Sequence, residues 1–182
     1  RVALTPDAVK ELVTHGLEVR IQSGAGSGAG IDDEAFAAAG AEIVDQEQAW
    51  GAHLVVKVKE PQPEEFRFLR DDMVLFTYLH LAAYPEVGEA LLAAGTTGVA
   101  YETVQLENGT LPLLAPMSEI AGGLAAQVGA RLLERPQGGR GVLIGGCTGV
   151  QPARVVVLGA GTVGWNAARL VAAMDAEVML LD

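Results

Sequence analysis

The chain has one cysteine, Cys147, and only 12 basic residues against 23 acidic ones. A single cysteine excludes an intrachain disulfide and fits a reducing compartment, so a cytoplasmic protein is expected. The net charge of −11 argues against nucleic acid or an anionic membrane, both of which need a basic face, and neither is an expected partner. No apolar run reaches the roughly 18 residues of a membrane-spanning helix. An initiator methionine is missing too: the chain opens on Arg1 and the already strand-like Val2-Ala3-Leu4. It is read as a piece of a longer protein, cut at both ends.

What the sequence does have is small and apolar. Half of its 182 residues are hydrophobic and 23 are glycine, a composition suited to a tightly packed α/β protein. Thr5-Pro6-Asp7 starts a helix, with Thr5 as N-cap and Pro6 at the first helical position, and Gly16 stops it. Glu18–Gln22 reads as a strand, followed by the glycine-rich 24–30 and a short helix over Asp32–Ala39. Three further strands are expected over Leu54–Val58, Met73–Thr77 and Thr97–Ala100, with a helix over Pro85–Ala94. Strands alternating with helices predict a mostly parallel sheet, whose ligands gather beyond the carboxyl ends of its strands. Ser118 is expected to cap a helix rich in alanine and in Gly122, Gly123 and Gly129, glycines that suit close backbone approach. Residues 137–149, with six glycines, read as a mobile loop. The expected organisation is a catalytic domain over 1–116, a linking helix over 117–136 and the start of a nucleotide-binding domain over 137–182.

The last stretch carries the sharpest signal. Gly159-Ala-Gly161-Thr162-Val163-Gly164 matches G-x-G-x-x-G between an apolar strand, Val155–Leu158, and a helix, Thr162–Met174. A second strand ends at Asp182, 18 residues past Gly164. That context is what a dinucleotide fingerprint requires. Gly159 permits the tight turn, Gly161 lets a pyrophosphate approach the backbone, and Gly164 lets helix pack on strand. The phosphates would face the helix N-terminus. Asp182 would accept hydrogen bonds from the adenosine ribose and repel a 2′-phosphate, which predicts NAD rather than NADP. The other glycine run, 24–30, reads as a flexible structural turn, because no acid is seen at a second strand end; Ile43 and Val44 stand there instead.

Polar residues collect at three other strand ends. Lys57 and Lys59 close the strand over Leu54–Val58 and alternation puts both on one face. His80 follows the strand over Met73–Thr77, and Tyr101-Glu102 follows Thr97–Ala100. A parallel sheet would deliver Lys59, His80 and Glu102 to one edge, an arrangement suited to hydride transfer on a small carboxylate. His15 and His53 have no strand to carry them to that edge.

These stretches resemble the family of alanine dehydrogenase and the α subunit of proton-translocating NAD(P) transhydrogenase. The resemblance rests on Arg1-Val-Ala-Leu-Thr-Pro6, Val56-Lys-Val-Lys-Glu-Pro61, Phe76-Thr-Tyr-Leu-His80, Tyr101-Glu-Thr-Val-Gln105, Leu113–Gly122 and the glycine turn. It implies a Rossmann-like N-terminal catalytic domain followed by the first βαβ of a Rossmann NAD-binding domain. The implied reaction is reversible oxidative deamination of L-alanine to pyruvate and ammonia, with NAD as hydride acceptor, in a homohexamer. Arg1 and Lys59 would then grip the substrate carboxylate, and His80 would shuttle a proton. Tyr78 and Met117 would line the substrate pocket, and Ser118 would reach a cofactor phosphate. Gly159, Gly161, Thr162, Val163, Gly164 and Asp182 would hold NAD. Glu102 would support this set from behind. The family places a catalytic aspartate farther along the nucleotide domain, so the 182-residue piece by itself is expected to be inactive. Cys147-Thr148 departs from the family pattern, with only a loop effect expected. Three alternatives stand beside this reading: a transhydrogenase α subunit, a saccharopine-type dehydrogenase, and a non-catalytic NAD-binding module.

Overall fold

A computed structural model describes all of residues 1–182. The chain forms two compact units, Arg1–Val104 and Gln105–Asp182. Both are α/β, and every strand pairing in them is parallel.

The first unit begins with α1 (Pro6–Thr14). Thr5 caps it by accepting from the Ala8 N–H at 3.3 Å, and Pro6 opens it where no amide partner is needed. β1 (Arg20–Gln22), α2 (Asp33–Ala38) and β2 (Glu42–Val44) follow, and β1 pairs with β2. Val9, Ile21, Phe36 and Ala41 form the core of this part. β2 and the short α3 (Gln46–Trp50) after it were not expected from the sequence. At three and five residues they are too short to show a period. The acid missing from that region is in fact present as Asp45, directly after β2, but it caps α3, accepting from the Gln48 N–H at 2.8 Å.

The glycine run 24–30 is a structural turn, as expected, though not a loose one. Asp33 on the first turn of α2 accepts from the Gly24 N–H at 2.9 Å and from the Ser23 hydroxyl at 2.7 Å. Those two bonds hold the Asp33 carboxyl below the usual carboxylate range. The chain thus supplies its own anion where a dinucleotide turn would take a phosphate.

The second sheet of this unit carries the polar strand ends. β3 (Leu54–Val56), β4 (Val74–Thr77) and β5 (Thr97–Ala100) lie in that order, with Val55, Leu75 and Gly98 in register. Leu75, Met73 and Val87 are fully buried, and α4 (Pro85–Ala94) packs over the sheet through Val87 and Leu91. Shared direction puts all three carboxyl ends at one edge.

The second unit starts with α5 (Ala115–Leu132). Leu114, not Ser118, stands at its N-cap, and Ser118 lies inside the first turn, donating its N–H to the Leu114 carbonyl. Pro116 belongs to the helix, because the first turn has spare N–H positions that proline does not need to fill. α5 packs against α6 (Thr162–Ala173), which connects β6 (Arg154–Leu158) to β7 (Glu177–Leu181). A Cβ on Gly122 would stand 2.4 Å from the Val163 carbonyl oxygen, so this glycine lets the two helices touch. Gly123 and Gly129 have no such neighbour, contrary to expectation. The glycine-rich 137–149 is tied down rather than free. Gly139 and Gly141 donate to Glu134 and Leu133, Cys147 and Val150 exchange backbone bonds, and Ala153 donates to Ile144.

Candidate functional site

The carboxyl edge of the β3–β4–β5 sheet gathers the polar residues that follow each strand. β3 ends at Val56, one residue before Lys57, so strand alternation does not govern the two lysines. Lys57 turns to Glu65, with which it forms an ion pair, and sits over the Trp50 ring. Lys59 goes elsewhere. Its Nζ lies 2.8 Å from Glu60 Oε1 and over the Tyr84 ring at 5.7 Å. Thr77, fully buried at the end of β4, donates its hydroxyl to the Lys59 carbonyl at 2.8 Å and fixes the backbone there.

Glu60 is the centre of this group, and sequence reasoning passed over it. Its side chain is 4% exposed, yet it faces two bases: Lys59 at Oε1 and His80 Nδ1 at Oε2, each at 2.8 Å. Burial alone would raise its carboxyl, but the hydrogen bonds from Lys59 and His80 outweigh it and bring the carboxyl down to about 2. Glu60 is therefore ionised at neutral pH. The one available signal was its place between Lys59 and Pro61 just past a strand; nothing in that spacing shows that the side chain turns inward.

His80 sits two residues past the buried Tyr78, in a left-handed backbone conformation with φ 48°. A side chain seldom adopts that conformation without support. The support is Glu102, whose Oε1 accepts from the His80 N–H at 2.8 Å and the Leu79 N–H at 3.2 Å. Glu102 enters on the 3-10 turn Tyr101–Thr103 that follows β5, so it acts on the His80 backbone rather than on its ring. The ring stacks on Tyr78, with centroids 5.6 Å apart, and meets Tyr84 edge-on at 6.4 Å. Tyr101 closes the far side, edge-on to Tyr78 at 5.0 Å. Burial, with the charge of Glu102, raises the Tyr78 phenol. Burial, with the neighbouring Tyr78, pushes the Tyr101 phenol to about 12. Both phenols stay neutral and act as walls.

The three strands thus bring Lys59, His80 and Glu102 together, with Glu60 between the first two. Arg1 is exposed and its backbone lies beside the Ser27–Ala29 turn. It makes no ion pair with this cluster. What the cluster offers chemically is a half-exposed ammonium beside a half-exposed imidazole, both oriented by one buried carboxylate. Such a pair can bind a small carboxylate and move one proton.

In the second unit the glycine turn has the geometry that a dinucleotide needs. Gly159 has φ 94°, and a Cβ on Gly164 would overlap the Gly159 carbonyl oxygen at 1.8 Å. A Cβ on Gly161 would meet nothing within 4 Å. The first and last glycines are thus needed by the turn itself, whereas space in front of the middle one is open. No side chain caps α6, so its first N–H groups are available to an anion. Asp182 follows β7 and accepts from the Ala160 N–H at 3.0 Å through Oδ1, which pins the turn. Ser118, Gly159, Gly161, Thr162, Val163 and Gly164 all line one cleft of about 820 Å³ between α5, β6 and α6. Met117, one residue before Ser118, is half-buried on the first turn of α5. These residues fit a dinucleotide: an uncapped helix start, an open face at Gly161 and a carboxylate at the end of the second strand.

Comparison with known proteins gives the family. The family model for the alanine dehydrogenase/PNT N-terminal domain matches residues 1–121, and that for the C-terminal domain matches residues 125–182. The alanine dehydrogenase of Mycolicibacterium smegmatis is 59% identical over 100% of this chain and 50% of its own length. A solved L-alanine dehydrogenase superposes with a TM-score of 0.93 at 52% identity, covering 100% of this chain and 51% of that one. The transhydrogenase of Sinorhizobium meliloti superposes with a TM-score of 0.84 at 26% identity, over 100% of this chain and 55% of that one. The chain spans about half the length of the curated relatives it matches. No helix in it is long and apolar enough to cross a membrane. With family models matched in order along nearly its whole length, the chain belongs to the alanine dehydrogenase/PNT family.

Proposed function

We propose that the protein carrying this chain is an NAD-dependent dehydrogenase that converts L-alanine, NAD and water reversibly to pyruvate, ammonium, NADH and a proton. The observation that carries the proposal is the Lys59–Glu60–His80 cluster at the carboxyl edge of a parallel sheet, on a chain that also has a dinucleotide turn. Identity of 52–59% to relatives named alanine dehydrogenase, against 26% to the solved transhydrogenase, supports the dehydrogenase over its relative. So does a site for a small carboxylate, for which an enzyme acting only on nucleotides has no use.

In this reading Lys59, together with Arg1, binds the substrate carboxylate and sets its orientation. His80 takes and returns the proton that moves as carbonyl and amine interconvert. Tyr78 walls the substrate. Bound NAD supplies the hydride acceptor. The α6 N-terminus, through Gly161, Thr162 and Val163, with Ser118, holds the pyrophosphate. The second oxygen of Asp182 holds the adenosine ribose and disfavours a 2′-phosphate. The same reading carries a cytoplasmic location and a homohexamer, which sedimentation of the complete protein tests.

NADH formation from L-alanine and NAD by the complete protein tests the activity, with glycine, L-serine, saccharopine and NADP as controls. The expected result is alanine- and NAD-dependent turnover that Lys59→Ala and His80→Ala abolish. Turnover unaffected by both substitutions would refute the assignment of the site.

A further inference from the structure

The Glu60 carboxylate has no direct place in the proposed reaction, yet it is the most buried charged group of the site. Both of its oxygens are committed, Oε1 to Lys59 and Oε2 to His80 Nδ1, each at 2.8 Å. The Gln62 side chain also donates to Oε1, at 3.5 Å, and to the Glu60 carbonyl, at 3.0 Å. A carboxylate that is ionised can only accept. The ring nitrogen facing it must therefore carry hydrogen, in the neutral ring as well as in the charged one. In the neutral ring the lone pair is then left on Nε2, which has no protein partner.

We propose that Glu60 is a positioning residue: it locks His80 in the Nδ1–H tautomer, leaving Nε2 to exchange the proton with substrate, and ties Lys59 to the same carboxylate. The proposal rests on the reading of His80 as the proton-transfer group. Its geometric basis is independent of which amino acid is the substrate. Three restraints act together on the imidazole. Glu60 fixes one ring nitrogen, Tyr78 stacks on the ring face, and Glu102 holds the backbone N–H in the left-handed conformation. Together they leave the ring few rotations and one tautomer. The shared carboxylate also sets the spacing between the two bases, so the carboxylate of a substrate and the atom that takes the proton are held at a fixed separation. The ionisable groups that face His80 are Glu60 at the ring, Glu102 at the backbone, the phenols of Tyr78 and Tyr84, and Lys59 through Glu60.

The test compares Glu60→Gln and Glu60→Ala with the parent in the complete protein. Two readouts are taken, kcat and KM for the amino acid and the ¹⁵N shifts of the His80 ring, assigned by their loss in His80→Ala. Gln has one acceptor oxygen where Glu60 has two; with that oxygen facing the Lys59 ammonium, its NH2 faces His80 Nδ1 and can only donate. It is expected to shift the ring toward the Nε2–H tautomer and to lower kcat more than it changes KM for the amino acid. Ala removes both oxygens, and is expected to give mixed tautomers and a fall in kcat of about 10²-fold or more. An Nδ1–H tautomer that persists in Glu60→Ala or in Glu60→Gln overturns the proposal. Should Glu60→Ala fail to fold, the ¹⁵N shifts of Glu60→Gln decide. Should the complete protein deaminate no amino acid, the functional reading fails but the ¹⁵N shifts still decide the tautomer.

Discussion

Two glycines of one turn, three residues apart, should respond to the same substitution in opposite ways. At Gly164 a Cβ would stand 1.8 Å from the Gly159 carbonyl oxygen and 3.0 Å from its carbon. An ordinary carbon–oxygen contact is about 3.3 Å, so the backbone must yield by roughly 1.5 Å. Neither neighbour is the tip of a flexible side chain. Gly164→Ala therefore overpacks backbone on backbone and should destabilise by about 1–3 kcal/mol or more, loosening the turn and with it any cofactor affinity. At Gly161 the same methyl would meet no atom within 4 Å, and φ of −65° is open to any residue. Gly161→Ala should therefore leave stability within about 0.5 kcal/mol of the parent. Its effect falls on what comes to occupy the open space. If a pyrophosphate passes there, the methyl separates it from the α6 N–H groups, and NAD affinity should drop at least about tenfold, or 1.4 kcal/mol. The assay is thermal unfolding and calorimetric titration of NAD on the two variants in parallel. A Gly161→Ala protein of normal stability and normal NAD affinity would refute the cofactor assignment of this turn. A Gly164→Ala protein as stable as the parent would refute the packing argument.

Other residues make separable predictions. Glu102→Ala removes the acceptor that holds His80 at φ 48° and leaves the Leu79 and His80 N–H groups unpaired. It should destabilise by about 1–3 kcal/mol and lower kcat while sparing NAD affinity, which denaturant unfolding and steady-state kinetics would show. Thr77→Val keeps the shape of a fully buried side chain but withdraws its 2.8 Å bond to the Lys59 carbonyl. About 1–3 kcal/mol of stability and a rise in KM for the amino acid should follow; an unchanged KM would separate Thr77 from the site. Glu60 also makes a prediction about acid. Its carboxyl is lowered from 4.5 to about 2 in the folded protein, so the stability it contributes is fully present above its unfolded value and is lost as pH falls toward 2. The stability gap between the parent and Glu60→Gln should narrow as pH falls between about 4.5 and 2. A gap that widens with acid would contradict the ion-paired arrangement.

Several features of the molecule were legible in the sequence for a local reason. The glycine turn could be read because its demands lie within a few residues: a left-handed Gly159, a contact between Gly159 and Gly164, and an acid at the next strand end. The α1 cap at Thr5 and the span of α4 over Pro85–Ala94 are similarly short-range. Parallel pairing followed from alternation of strand and helix, and with it the meeting of Lys59, His80 and Glu102 at one edge. Elements of three to five residues, such as β2 and α3, were not legible, since so short a segment has no period to detect. The start of α5 was misjudged because Ser118 looks like a cap, although the helix already begins with Ala115 and Pro116.

The sequence by itself determined which strand ends carry polar groups, that they point one way, and which turn matches a dinucleotide fingerprint. Tertiary structure alone decided what those groups do to one another. Lys57 and Lys59 differ by two positions, yet one pairs with Glu65 and the other with Glu60, because the strand stops before either. Glu60 drew no role from the sequence, yet the sheet edge buries it against His80, 20 residues away. Glu102, expected to support the set from behind, proves to hold a backbone 22 residues away. Local pattern records the state of a residue's own backbone. The direction of a side chain beyond a strand end is set by contacts between segments far apart in the chain, and only the folded sheet brings those segments together.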